Sequence, residues 1–418
     1  MYLEKRTATH GRPMIENRLP GHDHVITNLC YSPRESAGQS RAAMETLLQV
    51  PYNVTVKMLL GSLERALLPD MVVRRLTRLL LAARLRQGYK PSSQLQLSDL
   101  LHFAQSLQDM PIAIRTDKAK EQHYELPTSF FNLVLGKNMK YSCCYFLDKT
   151  STLEDAENAM LELYCERAQL KDGHTVLDVG CGWGSLSLYI AQKYTNCRVT
   201  GICNSMTQKA CIEEKCRELQ VHNVEIIVAD ISAFEMEGTF DRIFSIEMFE
   251  VNYHDDESSF GLIIMFLLDQ HMKNYKELLK KISKWMTQEG LLFVHYFCHK
   301  TFAYHFEDLS DDDWITRYFF TGGTMPSANL LLYFQEDVSI LNHWLVNGKH
   351  YAQTSEEWLK RMDHNLASIK PIMESTYGKA EAVKWTVYWR TFFIAVAELF
   401  GYNNGEEWMV AHFLFKKK

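Results

Sequence analysis

The sequence predicts an α/β fold built on a doubly wound, Rossmann-like parallel sheet, and two observations carry this prediction. Residues 176–184 read Val-Leu-Asp-Val-Gly-Cys-Gly-Trp-Gly, an apolar run and an acid followed by three alternating glycines just before a helical pattern. From Thr175 onward, strand-like and helix-like segments alternate along the chain. A strand, a tight glycine turn and a helix form the nucleotide cradle of such a sheet, at the carboxyl end of a strand.

Five strands and three helices are predicted where this alternation occurs. The strands are predicted at Thr175–Val179, Arg198–Ile202, Val224–Val228, Phe240–Ile246 and Gly290–Phe297. The helices between them are predicted at Ser185–Tyr194, Thr207–Leu219 and His271–Met286. Strands that alternate with crossover helices indicate a parallel sheet.

Helical spacing dominates the residues before the sheet. Residues 1–43 are rich in Arg, His, Gly, Pro and Ser without periodicity, which predicts a disordered extension. The segment 44–140 is predicted to be a helical region, in which apolar residues recur at helical spacing from Tyr52 to Arg86. Pro69 divides that stretch into two helices, and a third is predicted at Ser98–Gln108. A basic amphipathic helix could touch a membrane surface, although packing on its own domain is the commoner case.

Composition excludes several classes of protein. With 46% hydrophobic and 23% charged residues, the chain resembles an ordinary globular enzyme. With a net charge of −6 the chain has no excess of positive charge to attract a polyanion, so we expect no nucleic-acid partner. The longest apolar run, Leu262 to Leu268, is far shorter than the roughly 20 residues of a membrane span, so we expect no stable membrane insertion. Ten irregularly spaced cysteines without a secretory signal predict reduced thiols, a cytoplasmic location and no metal site.

Polar residues follow two further predicted strands. Asn204 comes directly after the second strand, and Asp230 and Ile231 come after the third. The carboxyl ends of these strands face the same crevice as the glycine turn, so we expect the three residues to contribute to one binding site. The alternative for Asp230 is an aspartate that forms or caps a turn.

Several separated motifs resemble one superfamily and occur in its order. They are residues 141–146 (Tyr-Ser-Cys-Cys-Tyr-Phe), the glycine turn, 245–250 (Ser-Ile-Glu-Met-Phe-Glu), 271–275 (His-Met-Lys-Asn-Tyr) and 314–320 (Trp-Ile-Thr-Arg-Tyr-Phe-Phe). Together they resemble the cyclopropane-fatty-acid-synthase superfamily and, more closely, its plant branch of coclaurine N-methyltransferase-like enzymes. The similarity runs from about Met44 to Lys418 with one interruption. The glycine turn itself resembles motif I of class I S-adenosylmethionine-dependent methyltransferases.

The resemblance implies a binding site for S-adenosylmethionine. Tyr141 and Ser142 would lie against this cofactor, and Gln208 would lie near its ribose or methionine end. Asp230 and Ile231 match positions that flank the adenine. The cradle itself would be formed by Asp178, Gly180, Gly182 and Gly184.

Two sets of catalytic residues follow from the two branches of the superfamily. In the lipid cyclopropane synthases a bound bicarbonate serves as the base, and the residues that match its ligands here are Cys143, Glu250, His295 and Tyr351. The lipid enzymes carry a small residue where this chain has Glu247. In the N-methyltransferase branch, the matching catalytic group is Glu247, Glu250 and His271.

Paired carboxylates suit methyl transfer to an amine. A substrate ammonium has no lone pair, so it must lose a proton before it can be methylated, and a carboxylate with a histidine can accept that proton. Desolvation would raise the pKa of such carboxylates toward the working range. The alternative for Glu247 and Glu250 is a pair of carboxylates that satisfy backbone N–H groups at a helix start. For His271, a plain surface histidine is an equally good interpretation.

Two regions complete the predicted organisation. Residues 141–300 are predicted to form the cofactor-binding core, and 301–418 a substrate-binding cap with further strands and helices. Aromatic residues are dense in this last part, and four of them, Trp385, Trp389, Phe392 and Phe393, lie at helical spacing. We expect most of them to be core, with a minority lining a pocket where a cationic nitrogen gains cation–π contact.

Three functional hypotheses remain open at this point. The first is an S-adenosylmethionine-dependent methyltransferase that N-methylates a small, tetrahydroisoquinoline-like amine, in a protein that the resemblance suggests is a homodimer. The second is methylene or methyl transfer to an unsaturated lipid acyl chain, which the bicarbonate-type residues favour. The third is an inactive, cofactor-binding splice form.

An insert motivates the third hypothesis. In the family the Phe-Glu of the fourth-strand motif runs directly into His-Met-Lys-Asn-Tyr, whereas here the twenty residues from Val251 to Gln270 intervene. They begin polar and end apolar. Valine codons begin with GT and one glutamine codon is CAG, which match the boundary signals of an intron. We therefore hypothesise a retained intron or an unusual splice form, which comparison of genomic and transcript sequences would test.

Deletion of residues 251–270 is expected to raise methyl transfer by about tenfold or more, because the insert separates Glu250 from His271 and a displaced catalytic group is costly. The apolar run at its end would also promote aggregation or occlude the pocket. Turnover of labelled cofactor by the full chain and by the deletion variant measures this effect. Equal turnover would refute the hypothesis.

Overall fold

A seven-stranded sheet forms the centre of the protein. The computed structural model describes residues 55–110, 126–248, 273–307 and 323–418. The strands of this sheet are β1 (Thr175–Val179), β2 (Arg198–Cys203), β3 (Val224–Val228), β4 (Phe240–Ile246), β5 (Met286–His299), β8 (Val338–Val346) and β9 (Trp408–Lys417). Two short strands, β6 (Tyr304–His305) and β7 (Thr324–Met325), form a separate ribbon.

The strand order is β3-β2-β1-β4-β5-β9-β8. The five strands of the βα region pair in parallel, whereas β9 pairs antiparallel with both β5 and β8. This arrangement confirms the predicted α/β class with a doubly wound sheet.

Helices cover both faces of the sheet. In the described part of the chain they are α1 (55–64), α2 (Asp70–Gly88), α3 (Ser93–Gln108), α4 (Thr128–Val134), α5 (Leu153–Arg167), α6 (Ser185–Lys193), α7 (Met206–Glu218), α8 (Tyr275–Lys284), α9 (Lys349–His364), α10 (Leu366–Tyr377) and α11 (Ala382–Gly401). As predicted, Pro69 separates the first two, and it stands at the N-cap of α2. None of the helices described is long and apolar enough to cross a bilayer.

Three predicted elements differ from the structure by more than one residue at an end, whereas the other strands and crossover helices agree to within one residue. The third helix starts five residues earlier than predicted, because the Ser92 side chain accepts a hydrogen bond from the Leu95 N–H and caps it there. The helix predicted at 271–286 begins instead at Tyr275, after the capping side chain of Asn274. The fifth strand is longer at both ends, since Met286 pairs with Phe240 of β4 and His299 with Trp408 of β9.

Two hydrophobic cores lie on the two faces of the sheet, because successive strand residues point in opposite directions. On β5, Phe293 and Phe297 belong to the core under α5, α9 and α11, whereas Leu292 and Val294 belong to the core under α3 and α8. The first core also contains the aromatic residues of α11 that were predicted at helical spacing, all of them buried.

The described residues from 55 to 418 form one packed unit. The extension predicted to be disordered, residues 1–43, lies outside the described residues, as do the insert at 251–270 and the aromatic motif at 314–320.

The order of the strands creates a crevice between β1 and β4. From β1 the chain continues to β2 on one side, and from β4 it continues to β5 on the other. At such a switch point the loops after the two strands diverge and leave an opening at their carboxyl ends. The glycine turn follows β1 at this opening, and Glu247 follows β4.

We expect the stability of the protein to depend more strongly on Gly184 than on Gly182, another glycine of the turn. Its φ is +79°, and a Cβ at this position would lie 2.7 Å from Cγ1 of the buried Ile212. Gly182 also has a positive φ, of +52°, but a Cβ there would meet no atom within 4 Å. Replacing either with Ala strains the backbone, and Gly184→Ala adds a clash inside the packed interface of α6 and α7. We therefore expect Gly184→Ala to lower the free energy of unfolding by about 1–3 kcal/mol more than Gly182→Ala does.

Denaturation by urea measures this difference, and Gly182→Ala serves as the control because it carries the same type of backbone strain without the clash. Equal free energies of unfolding for the two variants would show that the clash with Ile212 adds no measurable cost to stability.

Candidate active site

The glycine turn after β1 forms one wall of a cleft. The N–H groups of Gly180 and Cys181 both donate to the carbonyl oxygen of Ile202, at 2.9 Å, and tie the turn to β2. Gly184 then occupies the N-cap of α6. The turn thus directs its backbone into the cleft, and at Gly182 no side chain blocks the approach of a ligand.

The cleft brings together most of the residues predicted to bind the cofactor. Its lining consists of Met139, Tyr141, Ser142, Tyr164, Asp178, Gly180, Cys181, Gly182, Trp183, Ser185, Leu186, Cys203, Asn204, Gln208, Ile246, Glu247 and Met248. Tyr141, Ser142, Asp178, Gly180, Gly182, Asn204 and Gln208 are among the predicted residues.

Three predicted residues lie outside this lining. Gly184 is held against Ile212 behind the turn. The carboxylate of Asp230 accepts hydrogen bonds from the backbone N–H of Ser232 at 2.8 Å and from its hydroxyl at 2.7 Å, and so caps its own turn. Ile231 is fully buried in the core under α3 and α8.

Polar groups in the cleft fit an elongated ligand with cationic groups, which is the chemistry of S-adenosylmethionine. Asp178 is buried and accepts a hydrogen bond of 2.7 Å from the Ser187 hydroxyl, and burial raises its carboxyl pKa to about 6. The buried hydroxyl of Tyr141 has no hydrogen-bond partner among the described residues. An uncovered glycine backbone, a buried acid and an unpaired hydroxyl in one cleft are what such a ligand would satisfy.

Glu247 is part of the lining of this cleft. It follows β4 with a φ of +53°, an unusual backbone conformation for a residue with a side chain, and its N–H donates to the carbonyl oxygen of His295 at 2.8 Å. This bend turns the carboxylate into the cleft, where the side chain is only 2% exposed.

Three hydrogen bonds hold the Glu247 carboxylate. Oε1 lies 3.0 Å from His295 Nε2 and accepts from the backbone N–H of Cys143 at 3.1 Å. Oε2 accepts from the Tyr351 hydroxyl at 2.7 Å. Burial raises the pKa of this carboxyl group to about 7, whereas the charge of Lys140 and the hydrogen bonds from Tyr351 and Cys143 act in the opposite direction.

The structure therefore collects Cys143, His295 and Tyr351, as the resemblance to the bicarbonate site implies, but the carboxylate among them is Glu247. Glu250, which the resemblance placed in this group, and His271 lie outside the described residues. Cys143 contributes its backbone N–H to Glu247, and its thiol is turned to the carbonyl oxygen of Cys144 at 3.3 Å. Burial raises the pKa of this thiol well above its usual range.

Lys140 is a site residue that sequence reasoning missed. It is only 1% exposed, and its ammonium donates to the Ser142 hydroxyl at 2.5 Å and to the carbonyl oxygen of Cys143 at 2.6 Å. These bonds fix the loop that presents its N–H to Glu247. The available signal was the position of this lysine, immediately before the Tyr-Ser-Cys-Cys segment that was predicted to lie in the site. A charge buried there requires polar partners, so it would belong to the site as well.

Tyr164, on α5, was also missed. Its hydroxyl lies 3.0 Å from His295 Nδ1, on the side of the imidazole opposite Glu247. It belongs to an ordinary amphipathic helix, so the local sequence carries no signal for it.

Aromatic rings surround the site. The ring of Tyr141 lies 5.1 Å from that of Trp358, which in turn lies 6.2 Å from that of Tyr351. The four aromatic residues predicted on α11, in contrast, do not line the cleft. In the described part of the chain, no cluster of His, Cys, Asp and Glu side chains is arranged to hold a metal ion.

Comparisons with known proteins agree with this geometry. The model of the mycolic acid cyclopropane synthetase family matches residues 113–402. An (S)-coclaurine N-methyltransferase of Thalictrum flavum subsp. glaucum is 48% identical over 380 residues, which cover 90% of this chain and 100% of the relative. A pavine N-methyltransferase of the same plant is 46% identical over 86% of this chain and 96% of the relative.

A solved structure is similar as well. The crystal structure of a coclaurine N-methyltransferase bound to N-methylheliamine and SAH superposes with a TM-score of 0.79 at 48% identity, covering 87% of this chain and 100% of that one. With a buried carboxylate at the end of a glycine-lined cleft, these likenesses show that the chain belongs to the mycolic acid cyclopropane synthetase family, as an S-adenosylmethionine-dependent methyltransferase of its coclaurine N-methyltransferase-like branch.

Proposed function

We propose that this methyltransferase N-methylates a small, tetrahydroisoquinoline-like amine and that Glu247 is the general base of the reaction. The observation that carries the proposal is the Glu247 carboxylate, buried beside the glycine turn with a pKa raised to about 7. The coclaurine and pavine N-methyltransferases among the relatives support an alkaloid-type amine as the substrate.

The first chemical requirement is deprotonation of the substrate. An amine is protonated near neutral pH, and its ammonium form has no lone pair with which to form a bond. A carboxylate whose pKa lies near the working pH is ionised often enough to accept a proton and basic enough to take it efficiently. Glu247 meets both conditions because burial opposes its ionisation while its hydrogen bonds favour it.

The hydrogen bonds also determine which oxygen takes the proton. Oε1 accepts from Cys143 and lies within hydrogen-bond distance of His295, so both of its lone pairs are engaged. Oε2 accepts from Tyr351, and a second lone pair on this oxygen is left for the substrate proton. The Tyr351 hydroxyl therefore aligns the reacting oxygen of the base.

S-adenosylmethionine, when bound, supplies a methyl group on a positively charged sulfur, which the neutral amine can take up to leave S-adenosylhomocysteine. The chain's part is to hold this cofactor along Asp178, Gly180 and Gly182 and to hold the amine against Glu247. Placement of reacting groups in line accounts for much of the acceleration in such a reaction.

Glu247 also bears on the predicted role of bicarbonate. Its carboxylate already uses the backbone of Cys143, the imidazole of His295 and the hydroxyl of Tyr351. We therefore propose that Glu247 supplies from within the chain the base that a bound bicarbonate would supply. Roles for Glu250 and His271, assembly as a homodimer and a cytoplasmic location stay predictions from the sequence.

An assay of acceptor classes tests the substrate proposal. We expect cofactor labelled in its methyl group to transfer label to tetrahydroisoquinolines and none to vesicles of unsaturated phospholipid, because the site holds a base suited to an ammonium group. Label in the lipid fraction would overturn the proposal. Calorimetric binding of the cofactor without transfer to any acceptor would support the non-catalytic alternative instead.

Glu247→Gln is expected to lower kcat by roughly 100-fold or more, since an amide cannot accept the proton. In the unsubstituted enzyme kcat/KM should rise as the pH increases through about 7, because the carboxyl group must be ionised to act. That acidic limb should be absent from the residual activity of the variant. The exposed Glu237→Gln is a matched control that removes one carboxylate outside the cleft.

Single-turnover rates across the pH range measure both effects. An acidic limb that persists in Glu247→Gln would assign the base to another residue.

A further inference from the structure

A line of hydrogen-bond contacts continues from Glu247 away from the cleft. His295 Nε2 lies 3.0 Å from Glu247 Oε1, and His295 Nδ1 lies 2.8 Å from His412 Nε2. His412 Nδ1 in turn lies 2.5 Å from Nη1 of Arg167. Both imidazoles are fully buried, whereas Arg167 is half-buried.

The sheet places these groups in register. His295 on β5 pairs directly with His412 on β9, and His412 pairs directly with Trp344 on β8. Residues directly opposite one another on neighbouring strands share a face of the sheet. Helix α5 crosses this face and ends at Arg167, whose guanidinium lies 4.9 Å from the ring centre of Trp344. Three strands and one helix are therefore needed to assemble the line.

Arginine sets the direction of every hydrogen bond in the line, because it carries donors and no acceptor. Nδ1 of His412 must accept from it, so the proton of that neutral imidazole is on Nε2. Nδ1 of His295 then accepts from His412, and the proton of the second imidazole is on its Nε2, facing Glu247. The Tyr164 hydroxyl also lies 3.0 Å from this Nδ1, whose single lone pair is already engaged by His412.

Both imidazoles are neutral in this environment. Burial is the largest cause that lowers the pKa of His295 and of His412 well below the ordinary value, and the positive charges of Arg167 and Lys140 act in the same direction. A neutral imidazole exists in two tautomers, and the partner of one nitrogen selects which is present.

We propose that Arg167 is a positioning residue that locks the tautomers of His412 and His295 and thereby keeps a hydrogen-bond donor on the Glu247 carboxylate. The proposal rests on the proposed role of Glu247 as the base. His412 lies beyond residue 402, where the match to the family model ends. The chain thus couples Glu247 to a guanidinium at the end of α5, on the same face of the sheet.

The expected effect on the pKa of Glu247 follows from the direction of its hydrogen bond with His295, in which the imidazole is the donor. A donor to a carboxylate favours the ionised form and lowers the pKa. Loss of the lock removes part of that stabilisation, so the pKa of Glu247 rises and the acidic limb of kcat/KM moves to higher pH. The other groups that act on Glu247 and on the two histidines stay in place, and they are Lys140, Tyr141, Cys143, Tyr164, His343 and Tyr351.

Histidine ¹⁵N NMR of the full chain tests the lock without any turnover. We compare the unsubstituted enzyme with Arg167→Met, which removes the donor and the charge, and with Arg167→Lys, which keeps both. Signals assigned through His295→Gln and His412→Gln should show a single tautomer protonated at Nε2 in the enzyme and in Arg167→Lys. Arg167→Met should show a mixture or the other tautomer at His412. Unchanged tautomers in Arg167→Met would overturn the proposal.

The pH dependence of methyl transfer tests the consequence. In Arg167→Met we expect the acidic limb to move up by roughly 0.5 pH unit, which is about a threefold loss of kcat/KM on the acid side. Arg167→Lys should restore the original limb. A purely structural role for the Arg167–Trp344 contact would lower thermal stability without moving the limb.

A double substitution distinguishes an effect transmitted through the hydrogen-bonded histidines from a long-range effect of the Arg167 charge. In a His412→Phe background the connection is already cut, so Arg167→Met should not move the limb any further. Additive shifts would mean that Arg167 acts through space, and they would overturn the proposal. If instead Glu247→Gln keeps the acidic limb while the tautomers respond to Arg167→Met, the role of Glu247 fails and the lock stands.

Discussion

Burial of the Glu247 carboxylate is the constraint on which the architecture of the site depends. A carboxylate taken out of water is costly unless donors replace the lost hydration, and removal of one donor leaves the charge uncompensated. Here the donors come from separate parts of the fold: the loop before α5 provides the N–H of Cys143, α9 provides Tyr351, and β5 provides His295. The carboxylate is therefore fully compensated only when these three parts of the fold are packed together.

Burial of this carboxylate also accounts for two other features of the site, the buried Lys140 and the backbone bend at Glu247. Lys140 lies in the interior, yet its ammonium binds a hydroxyl and a carbonyl oxygen and leaves its charge to act on Glu247. The positive φ of Glu247 costs local strain, which the hydrogen bond from its N–H to His295 helps to offset. Both features act on the Glu247 carboxylate, because the charge of Lys140 lowers its pKa and the backbone bend directs it into the cleft. The pKa of Glu247 is thus set by opposing influences, burial on one side and charge with hydrogen bonds on the other.

Local patterns were sufficient to predict the sheet and the cleft wall, but not the contacts across the sheet. The glycine turn is encoded in nine consecutive residues, whereas Tyr141, Asp178 and Gln208 were assigned to the cofactor site by the family resemblance. Glu247 was predicted to be catalytic, but its hydrogen bond from Tyr351, 104 residues later in the chain, depends on how α9 packs. His412 gave one signal that was overlooked, a polar residue in the middle of an apolar strand, since a buried polar group requires an explanation.

The position of β9 has a consequence for how the enzyme matures. This strand follows every other described strand along the chain, yet it lies between β5 and β8 inside the sheet. Until it inserts, β5 exposes an unpaired edge, and the imidazole of His295 lacks its neighbour from the last segment. The strands β1 and β4 that flank the cleft thus precede β9 along the chain, whereas the contact between His295 and His412 requires β9 to be in place.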